Sequence, residues 1–474
     1  MSDRFNRRRA LQLLGSAGAC ATLPLSLTSC GRSGPDADVI VIGAGLAGLN
    51  AALLLEQQGV NVLVLEGSGR VGGRVYTYRD GSQHVDTGGA ELSIKTYPRV
   101  LDMLQRLKLP LLSRAGTKVE FVYRINGHTV TAADWPTSEA NRLLGPMRNV
   151  PPPFLSGALL PRPSPLSNTG EWLEPTAARY DVPFGSFLRE HGADEEMLRL
   201  IGANAEADSL DELSLLWSMR SQKSREGAGT IDDLRNVDGG MGRLTDGMAG
   251  LLKREIRMNT EIVAIGTERD GVEIRDVAGN TYRAKYAVCA IPLTILRRIA
   301  VNPGLASLQA AAVNKTPYGQ HTDVFLNIRE PFWEDDGLPA WMWTDTSLGS
   351  VLRISWGDAI GYIWLAINGP ANRPWRDKSD EEVMQGVLAE LGRVRPSTVG
   401  RVEPLLVQNW STARWTRGHL AYMSPGQITE FGGALSKPHG RIHFAGEHVA
   451  KMTVGMEGAM ESGEQAAVEI LLKI

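Results

Sequence analysis

The sequence has 474 residues, of which 43% are hydrophobic and 22% are charged, and its formal net charge is −3 at pH 7. A chain of this length exceeds what one hydrophobic core usually serves, so about two or three domains are expected. The composition is typical of a soluble globular enzyme, and the slight negative charge excludes the basic surface that nucleic-acid binding requires. The three cysteines have no spacing that indicates a metal site or a redox pair.

An export signal is predicted over residues 1–35. Arg7, Arg8 and Arg9 precede a weakly apolar stretch of small residues, an order that is typical of a leader. The arginines resemble a twin-arginine signal, which addresses folded proteins for export. The segment ends in "LTSC", which resembles a lipoprotein cleavage box, so we expect a periplasmic protein or one tethered through Cys30 to the outer face of the bacterial inner membrane. Soluble release after cleavage and an uncleaved start are the alternatives.

An α/β unit follows the export signal. An apolar strand is predicted at Val39–Ile42, a buried helix at Ala47–Gln58 and a second apolar strand at Val62–Leu65. A short βαβ unit of this kind places its turn at the carboxyl end of a parallel sheet. The sequence therefore predicts the start of a Rossmann-type domain.

The turn between the first strand and the helix reads G-x-G-x-x-G, with Gly43, Gly45 and Gly48. The first glycine permits the tight turn, the second lets the backbone approach a pyrophosphate, and the third lets the helix pack against the strand. Glu66 ends the second strand, where a carboxylate can accept hydrogen bonds from the hydroxyls of a ribose. The pattern predicts a dinucleotide site and leaves open whether the ligand is an exchanging nicotinamide or a resident flavin.

A second glycine pair, in "EGSGRVGGRVYT", helps to decide between a nicotinamide and a flavin. Arg70 and Arg74 flank it and offer fixed positive charge beside a second phosphate region, with a solvated charge pair as the alternative. Far downstream, "FAGEH" and "MEGAMESGEQAA" place another glycine-rich turn at the start of a helix, which suits approach to a ribityl chain or a flavin ring. These features favour a flavin.

The rest of the chain alternates between segments with two kinds of sequence pattern. The segment from "DGGMGRLTDGMAGLL" to "YAVCAIP" and the C-terminal segment have α/β character. The intervening stretches hold a proline-rich loop, the helical pattern "SFLREHGADEEMLRLIGA" and strands with aromatic faces such as "DVFLNI" and "GYIWLAINGP". We therefore predict an α/β fold with a discontinuous Rossmann-type cofactor domain and a second, α+β domain for the substrate. The cofactor domain is predicted at residues 36–96, 236–301 and 406–474, and the substrate domain at residues 97–235 and 302–405.

Together these blocks resemble the flavin-containing amine oxidase family, which includes monoamine, polyamine and L-amino acid oxidases. The resemblance runs from about Asp38 to the C-terminus through "VIGAGLAGLNAA", "RVGGRVYT", "DTGGAE", "GGMGRLTDGMA", "PYG", "PFW", "FAGEH" and "GMEGAMESGEQAA". It implies a bound FAD and a small-molecule amine as substrate. A hydride equivalent passes from the amine-bearing carbon to the flavin, and oxygen or another electron acceptor reoxidises the enzyme.

The resemblance also implies roles for individual residues. The glycine turn and Glu66 are expected to hold the ADP half of FAD, Val263 to contact the adenine through its backbone, and Glu447 to contact the ribityl-phosphate region. The cofactor-binding residues implied in this way are Gly43, Gly45, Gly48, Glu66, Arg70, Gly73, Arg74, Gly89, Val263, Gly446, Glu447 and Met456.

Four positions are expected to shape catalysis. Asp323 stands where the family often has a lysine that is linked to reaction with oxygen, which raises a dehydrogenase with another acceptor. Gly455 stands where monoamine oxidases carry an aromatic residue, so one wall of the cavity is expected to be missing. Trp410 and Trp415 match the region of aromatic walls, with ordinary core tryptophans as the alternative. His419 occupies the region where some members carry a cysteine that links the flavin, so a noncovalent FAD is expected.

Two alternatives to amine oxidation stay open at this point. "DTGGAELS" lacks the arginine with which L-amino acid oxidases hold a carboxylate, although Arg99, Arg414 and Arg417 are available to replace it. An L-amino acid oxidase or a desaturase-type flavoenzyme is therefore the second reading. A flavin-binding envelope scaffold without catalysis is the third, because a fold does not determine a function.

Overall fold

The structure is a computed structural model that describes residues 35–81, 83–114, 119–356 and 359–474. The predicted export signal, including Arg7, Arg8 and Cys30, lies outside the described residues and stays a prediction. Residues 35–474 form one compact unit. No helix within the described ranges is long and apolar enough to cross a membrane.

Helices and strands are interspersed along the described chain. The strands are β1 Val39–Ile42, β2 Val62–Leu65, β3 Thr77–Asp80, β4 Gln83–Asp86, β5 Leu92–Ser93, β6 Leu111–Ser113, β7 Phe121–Ile125, β8 His128–Thr131, β9 Leu234–Val237, β10 Ile262–Thr267, β11 Val272–Asp276, β12 Thr281–Ala284, β13 Tyr286–Cys289, β14 Ala300–Asn302, β15 His321–Ile328, β16 Trp341–Thr344, β17 Ser350–Ile354, β18 Tyr362–Asn368, β19 Val402–Asn409 and β20 Ile442–Phe444. The α-helices are α1 Leu46–Gln57, α2 Pro98–Arg106, α3 Leu155–Ala158, α4 Phe184–Glu190, α5 Glu195–Gly202, α6 Leu215–Ala228, α7 Gly242–Gly250, α8 Leu293–Leu296, α9 Ser307–Lys315, α10 Phe332–Asp336, α11 Gly369–Asn372, α12 Asp380–Val394, α13 Gln427–Phe431 and α14 Gly455–Leu471.

A parallel four-stranded sheet in the order β2-β1-β13-β20 carries the first part of the fold. All four residues of β1, β2 and β13 are buried, as expected for a parallel sheet that is covered on both faces. The strands predicted at Val39–Ile42 and Val62–Leu65 are confirmed, and the predicted helix begins one residue earlier, at Leu46. Helix α14 packs closely on α1, because a Cβ at Gly463 would lie 2.3 Å from the carbonyl oxygen of Ala47.

The second sheet is antiparallel in the order β12-β11-β10, with β14 added in parallel to β10. A third sheet has seven strands in the order β19-β15-β18-β17-β16-β7-β8. The aromatic-faced strands predicted from the sequence are β15, β16, β17 and β18 of this sheet. The stretch "SFLREHGADEEMLRLIGA" forms two helices rather than one, because Gly192 turns with a φ of 90° and the Asp194 side chain caps α5.

The predicted division into two domains remains a prediction. The boundary predicted between residues 405 and 406 falls inside β19, which pairs with β15 on both sides of that point. The strand therefore belongs to the seven-stranded sheet throughout. That sheet matters for function because β15 and β18 face the ends of the parallel strands across a large cavity.

Candidate active site

A cavity of about 1040 Å³ lies at the carboxyl ends of the parallel sheet. Residues that directly follow β1, β2, β13 and β20 line it, and side chains of β15 and β18 close it from the other side. Open α/β sheets bind their ligands at this edge. The volume is at the upper end of what ligand pockets usually reach, so it accommodates a dinucleotide together with a small substrate.

The glycine turn presents its backbone to the cavity. Gly43 has a φ of 101°, which favours glycine, and a Cβ at Gly45 would meet no atom within 4 Å because the cavity lies there. Glu66 clamps the turn, since its two carboxylate oxygens accept hydrogen bonds from the backbone N–H groups of Ala44, at 2.7 Å, and Ser68, at 2.8 Å. Helix α1 begins here without a side-chain cap, so its first N–H groups are available to a phosphate.

Gly48 does not line the cavity. It lies within α1, where a Cβ would stand 2.0 Å from the carbonyl oxygen of Gly43. Because this oxygen belongs to the backbone, no movement of a side chain can relieve the contact. Gly48 therefore serves helix–strand packing, which is the role that its place in the motif predicts.

The second glycine pair docks on the first turn. The N–H of Gly72 donates to the carbonyl of Ala44 at 2.8 Å, and a Cβ at Gly73 would lie 3.5 Å from the Cα of Gly45. Arg70 is not a solvated charge, because its guanidinium donates to the carbonyl of Gly73 at 2.9 Å and covers the ring of Tyr76 at 4.1 Å. Arg70 lines the cavity, but its guanidinium N–H groups stabilise the turn that holds Gly73.

Arg74 and Glu447 form a partly buried ion pair in the cavity wall. Arg74 Nη1 lies 3.0 Å from Glu447 Oε1 and donates to the carbonyl of His419 at 2.6 Å. The same carboxylate oxygen accepts the N–H of Ala421 at 3.2 Å. Glu66 and Glu447 thus border one cavity, as a resident dinucleotide requires.

Val263 lines the cavity at an irregularity of β10. The pairing register with β11 shifts between Ile262 and Ala264, so Val263 is left out of the ladder. The extra residue of a bulge keeps backbone groups free. Those groups are available for the adenine contact that the resemblance implies.

Another glycine-rich turn borders the cavity after β20. Gly446 has a φ of 137°, and its N–H donates to Ser462 Oγ at 2.8 Å. A Cβ at Gly89 would lie 2.8 Å from the sulfur of Met456, so this glycine lets the start of α14 approach the "DTGGAE" turn. Gly89, Gly446 and Met456 all line the cavity, in agreement with their expected contacts to a flavin.

Tyr97 lies beside Gly455, where the sequence predicted that one aromatic wall of the cavity would be missing. A Cβ at Gly455 would lie 3.2 Å from the hydroxyl of Tyr97, which also lines the cavity. Burial raises the pKa of Tyr97 to about 12, so the phenol stays protonated. An aromatic side chain from another segment therefore borders the cavity beside Gly455.

Asp323 lies at the centre of a buried hydrogen-bond cluster. Its Oδ1 atom accepts hydrogen bonds from Trp364 Nε1 and His321 Nε2, both at 2.6 Å, and its Oδ2 atom accepts one from Trp410 Nε1 at 2.9 Å. Trp410 is 1% exposed and is absent from the cavity lining within the described residues. The prediction that Trp410 forms an aromatic wall is therefore wrong, because its indole lies behind Asp323, to which it donates its N–H. Trp364, on β18, is the indole of this cluster that lines the cavity.

Trp415 borders a different part of the cavity. A Cβ at Gly67 would lie 2.7 Å from its ring, and the guanidinium of Arg414 lies over the ring, 4.5 Å from the centroid. Gly67 directly follows Glu66, the residue expected to hold the ribose. Trp415 therefore borders the adenosine part of the site rather than a substrate chamber at Asp323.

The sequence-based reasoning missed His321, which lies on the same face of β15 as Asp323. The His321 ring is also hydrogen-bonded to Asn368, the residue that pairs with it on β18, with Nδ1 and Oδ1 2.5 Å apart. Burial opposes the charged ring, but the Asp323 carboxylate and these two hydrogen bonds together raise the pKa of His321. The alternation of His321 and Asp323 on a predicted strand was the signal that could have found it.

Two other histidines in the lining are neutral. His419 stacks on His321 with ring centroids 4.3 Å apart. Burial, followed by the charges of His321 and Arg74, holds the pKa of His419 well below its usual range. Burial lowers the pKa of His448 to about 4. Within the described part of the chain, no group of acidic, histidine and cysteine side chains is arranged to hold a metal ion.

Comparisons with known proteins give a consistent result. A family model described as flavin-containing amine oxidoreductase matches residues 46–471. The flavin-containing amine oxidase of Danio rerio is 28% identical over an alignment of 474 positions, gaps included, that covers 92% of this chain and 85% of the relative. An L-amino acid dehydrogenase of Synechocystis sp. is 26% identical and covers 92% of this chain and 94% of its own length. Among solved structures, cyclohexylamine oxidase from Brevibacterium oxydans IH-35A matches with a TM-score of 0.78 at 25% identity, covering 93% of this chain and 99% of that chain.

Proposed function

Since the chain belongs to the flavin-containing amine oxidoreductase family, we propose that its cavity binds FAD and that the enzyme oxidises a small-molecule amine. The observation that carries this proposal is the cavity that joins Glu66 and Glu447 to the wall formed by β15 and β18. FAD, when bound, accepts a hydride equivalent from the carbon that bears the amine, and the resulting imine hydrolyses to an aldehyde or a ketone.

The protein's part is to hold the cofactor and to prepare the amine. The first turn of α1 would face the pyrophosphate and Glu66 the ribose, and Glu447 holds the Arg74 guanidinium in the cavity wall. An alkylamine has a pKa near 10, so its deprotonation at pH 7 costs roughly 4 kcal/mol. Binding in the cavity withdraws the amine from water and disfavours its cation, which promotes the neutral amine that reacts.

The test is anaerobic mixing of the FAD-loaded enzyme with a panel of amines, polyamines and amino acids. Bleaching of the oxidised flavin by amines is the expected result. A purified chain that is colourless and binds no added FAD would overturn the proposal, as would a bound flavin that no amine or amino acid reduces. The second outcome would instead favour the reading as a scaffold without catalysis.

Oxidation of α-amino acids is the second candidate, and Arg417 is the observation that favours it. Arg417 lines the cavity, and among the described residues its guanidinium has no carboxylate partner. The other two arginines considered are engaged, Arg99 with Glu457 at 3.1 Å and Arg414 with Glu261 at 2.6 Å. Flavin bleaching by α-amino acids but not by simple amines, abolished in Arg417→Gln, would select this function.

For the electron acceptor, we propose a quinone or a cytochrome in preference to oxygen. Asp323 occupies the position where the family often has a lysine, and its carboxylate lies 2.6 Å from the His321 ring. The pair therefore offers no net positive charge to attract a developing oxygen anion. The expected result is slower reoxidation of the reduced enzyme by air than by a quinone. Fast reoxidation by air would overturn this point.

Export remains a separate proposal that rests on residues 1–35. The twin-arginine route suits a protein that binds its cofactor before it crosses the membrane. Fractionation of cells that express the full chain should place it outside the inner membrane, and Cys30→Ser should release it if that cysteine is acylated. Retention in the cytoplasm would contradict the proposal.

A further inference from the structure

The connecting loop, residues 449–454, joins two parts of the cavity lining. Glu447 and His448 line the cavity directly before it, and Gly455 and Met456 line it where α14 begins. The chain forms no helix or strand between β20 and α14, all of which is described. The position of this loop therefore depends on side chains that bind it from elsewhere.

Arg220, on α6, binds both ends of the connecting loop. Its Nη2 atom donates to the carbonyls of Ala450, at 3.2 Å, and Thr453, at 3.0 Å. The guanidinium lies 4.3 Å from the ring centroid of Trp172 and 5.0 Å from that of Trp217, and the residue is 2% exposed. Burial lowers the pKa of Arg220 to about 10, so the side chain is still a cation at pH 7.

The two carbonyls between these ends are bound from the same direction. Trp172 Nε1 donates to the carbonyl of Lys451 at 2.9 Å, and Thr169 Oγ1 donates to that of Met452. A Cβ at Gly170 would lie 2.2 Å from the sulfur of Met452, so the loop packs closely on this segment. The predicted substrate domain thus supplies every side chain that binds these carbonyls.

Glu461, on α14, binds the N–H groups of the same loop. Its two carboxylate oxygens accept from the N–H groups of Lys451 at 2.9 Å, Met452 at 3.0 Å and Thr453 at 2.7 Å, and the residue is 8% exposed. A buried cation therefore binds the carbonyls of the loop and a buried anion binds its N–H groups. In the part of the chain that the structure describes, Arg220 and Glu461 form no ion pair with each other.

We propose that Arg220 is a positioning residue for the cofactor, which holds Glu447 and Met456 in place against FAD through the connecting loop. Glu447 pairs with Arg74 before the loop, and Met456 packs against Gly89 after it, so a displaced loop would disturb both contacts. Arg220 does not itself line the cavity of the described chain. This inference rests on the proposed function, because it assigns a role in binding FAD to a residue outside the site.

The test measures cofactor binding and stability separately in Arg220→Gln. Release of FAD from the loaded enzyme is followed through flavin fluorescence, and stability is followed by denaturant unfolding of the full chain without FAD. Because hydrogen bonds to a charged group are usually worth at least a tenfold change in an equilibrium, the variant should bind FAD about tenfold or more weakly. Visible circular dichroism of the flavin, recorded at saturating FAD, should also change because Met456 shifts.

Arg395→Gln is the matched control for the loss of a buried arginine. Arg395 is 4% exposed, lies 4.7 Å from the ring centroid of Phe332, donates to the carbonyl of Pro339 at 2.8 Å and pairs with Asp336. It does not line the cavity of the described residues. Its variant should lose stability but keep wild-type FAD affinity and flavin dichroism. A merely structural Arg220 would behave in the same way.

Two further variants connect the effect to the loop. Arg220→Lys keeps the charge but lacks the planar fork, so it should bind FAD more weakly than wild type and more tightly than Arg220→Gln. It also serves as the test if Arg220→Gln does not fold. Glu461→Gln should weaken FAD binding too, and the double variant with Arg220→Gln should lose less affinity than the sum of the single losses.

The inference on Arg220 and the proposed function fail in different ways. Unchanged FAD affinity and dichroism in the Arg220 variants, or an equal loss of affinity in Arg395→Gln, would overturn the inference, even if amines reduce the wild-type flavin. The expected loss of FAD in Arg220→Gln, in an enzyme whose flavin no amine reduces, would support the inference and count against the proposed function.

Discussion

His321 Nε2 lies 2.6 Å from Asp323 Oδ1, and the two side chains, which are 4% and 3% exposed, share one face of β15. Removal of one partner of a buried ion pair leaves the other charge uncompensated, which usually costs about 3–5 kcal/mol. Here the cost is reduced because His321 can lose its proton. We therefore expect Asp323→Asn to lower the free energy of unfolding by about 2 kcal/mol.

A double-mutant cycle with His321→Gln measures this coupling by denaturant unfolding. The double variant should lose less stability than the sum of the two single variants. The sign of the pH dependence follows from the raised pKa of His321. The stabilisation is fully present below about pH 6.5, the usual value for histidine, and is lost as the pH rises through the raised value. Additive losses, or a coupling that grows at alkaline pH, would contradict the ion pair.

Two glycines of one motif should respond differently to alanine. In Gly45→Ala the new methyl group enters open cavity, so the protein should fold with near-normal stability but bind FAD at least about tenfold more weakly. In Gly48→Ala the methyl group meets the Gly43 carbonyl oxygen, so the fold itself should be destabilised, by about 2 kcal/mol or more. Thermal unfolding of the apoprotein and titration with FAD separate the two effects. Equal stability losses in the apoproteins would contradict this assignment.

Loss of the Glu447 carboxylate should release the cofactor. Glu447→Gln removes the counter-ion of Arg74 and weakens the acceptor of the Ala421 N–H, so Arg74 loses its fixed position. We expect FAD affinity to fall about tenfold or more, since hydrogen bonds to charged groups are worth about 1.5–3 kcal/mol. Release of FAD, followed through its fluorescence, measures the change.

The control for that experiment is Glu403→Gln. Glu403 forms an exposed ion pair with Arg329 at the far end of β15 and β19, away from the cavity lining of the described residues. Exposed pairs contribute little, so this variant should retain wild-type affinity for FAD. Equal losses in both variants would mean that Glu447 acts only through general stability.

The glycine turn and its flanking strands were predictable because their constraints are local. Val39–Ile42 is a continuous apolar run that only a doubly covered strand explains, and the glycine spacing follows from backbone sterics at one turn. Both features can be recognised within about 30 residues of a βαβ unit, without knowledge of the rest of the fold.

The wall opposite the turn was not predictable in the same way. His321 meets Asn368 only because β15 pairs with β18 in a particular register, and Glu206 reaches the wall from a loop far away in the sequence. The two tryptophans of "NWSTARWTRG" carry no local signal that sends Trp410 behind Asp323 and Trp415 to Gly67. Tertiary pairing decides those positions, and a pattern of residue types does not encode it alone.

Trp410 and Trp415 should therefore affect different steps. Trp410→Phe removes the indole N–H that Asp323 and the carbonyl of Thr87 share, so it should slow flavin reduction by amine several-fold with little effect on FAD affinity. Trp415→Phe changes the contact with Gly67 and should weaken FAD binding while the reduction rate of loaded enzyme stays near wild type. Anaerobic stopped-flow reduction and FAD titration measure the two effects. If Trp415→Phe slowed flavin reduction and Trp410→Phe weakened FAD binding instead, the prediction that Trp415 forms a wall of the substrate chamber would stand.

His448 should make the protein sensitive to acid. Burial lowers its pKa to about 4, whereas in the unfolded chain it titrates near its usual value of about 6.5. Above pH 6.5 the ring is neutral in both states, so it does not affect stability there. As the pH falls from about 6.5 to about 4, the unfolded state gains a proton that the folded state does not, and the free energy of unfolding should drop by up to about 3 kcal/mol. Denaturant unfolding at a series of pH values should show a shallower decline in His448→Gln, whereas His128→Gln, an exposed control on β8, should follow wild type. A decline of the same steepness in His448→Gln would exclude His448 as its source.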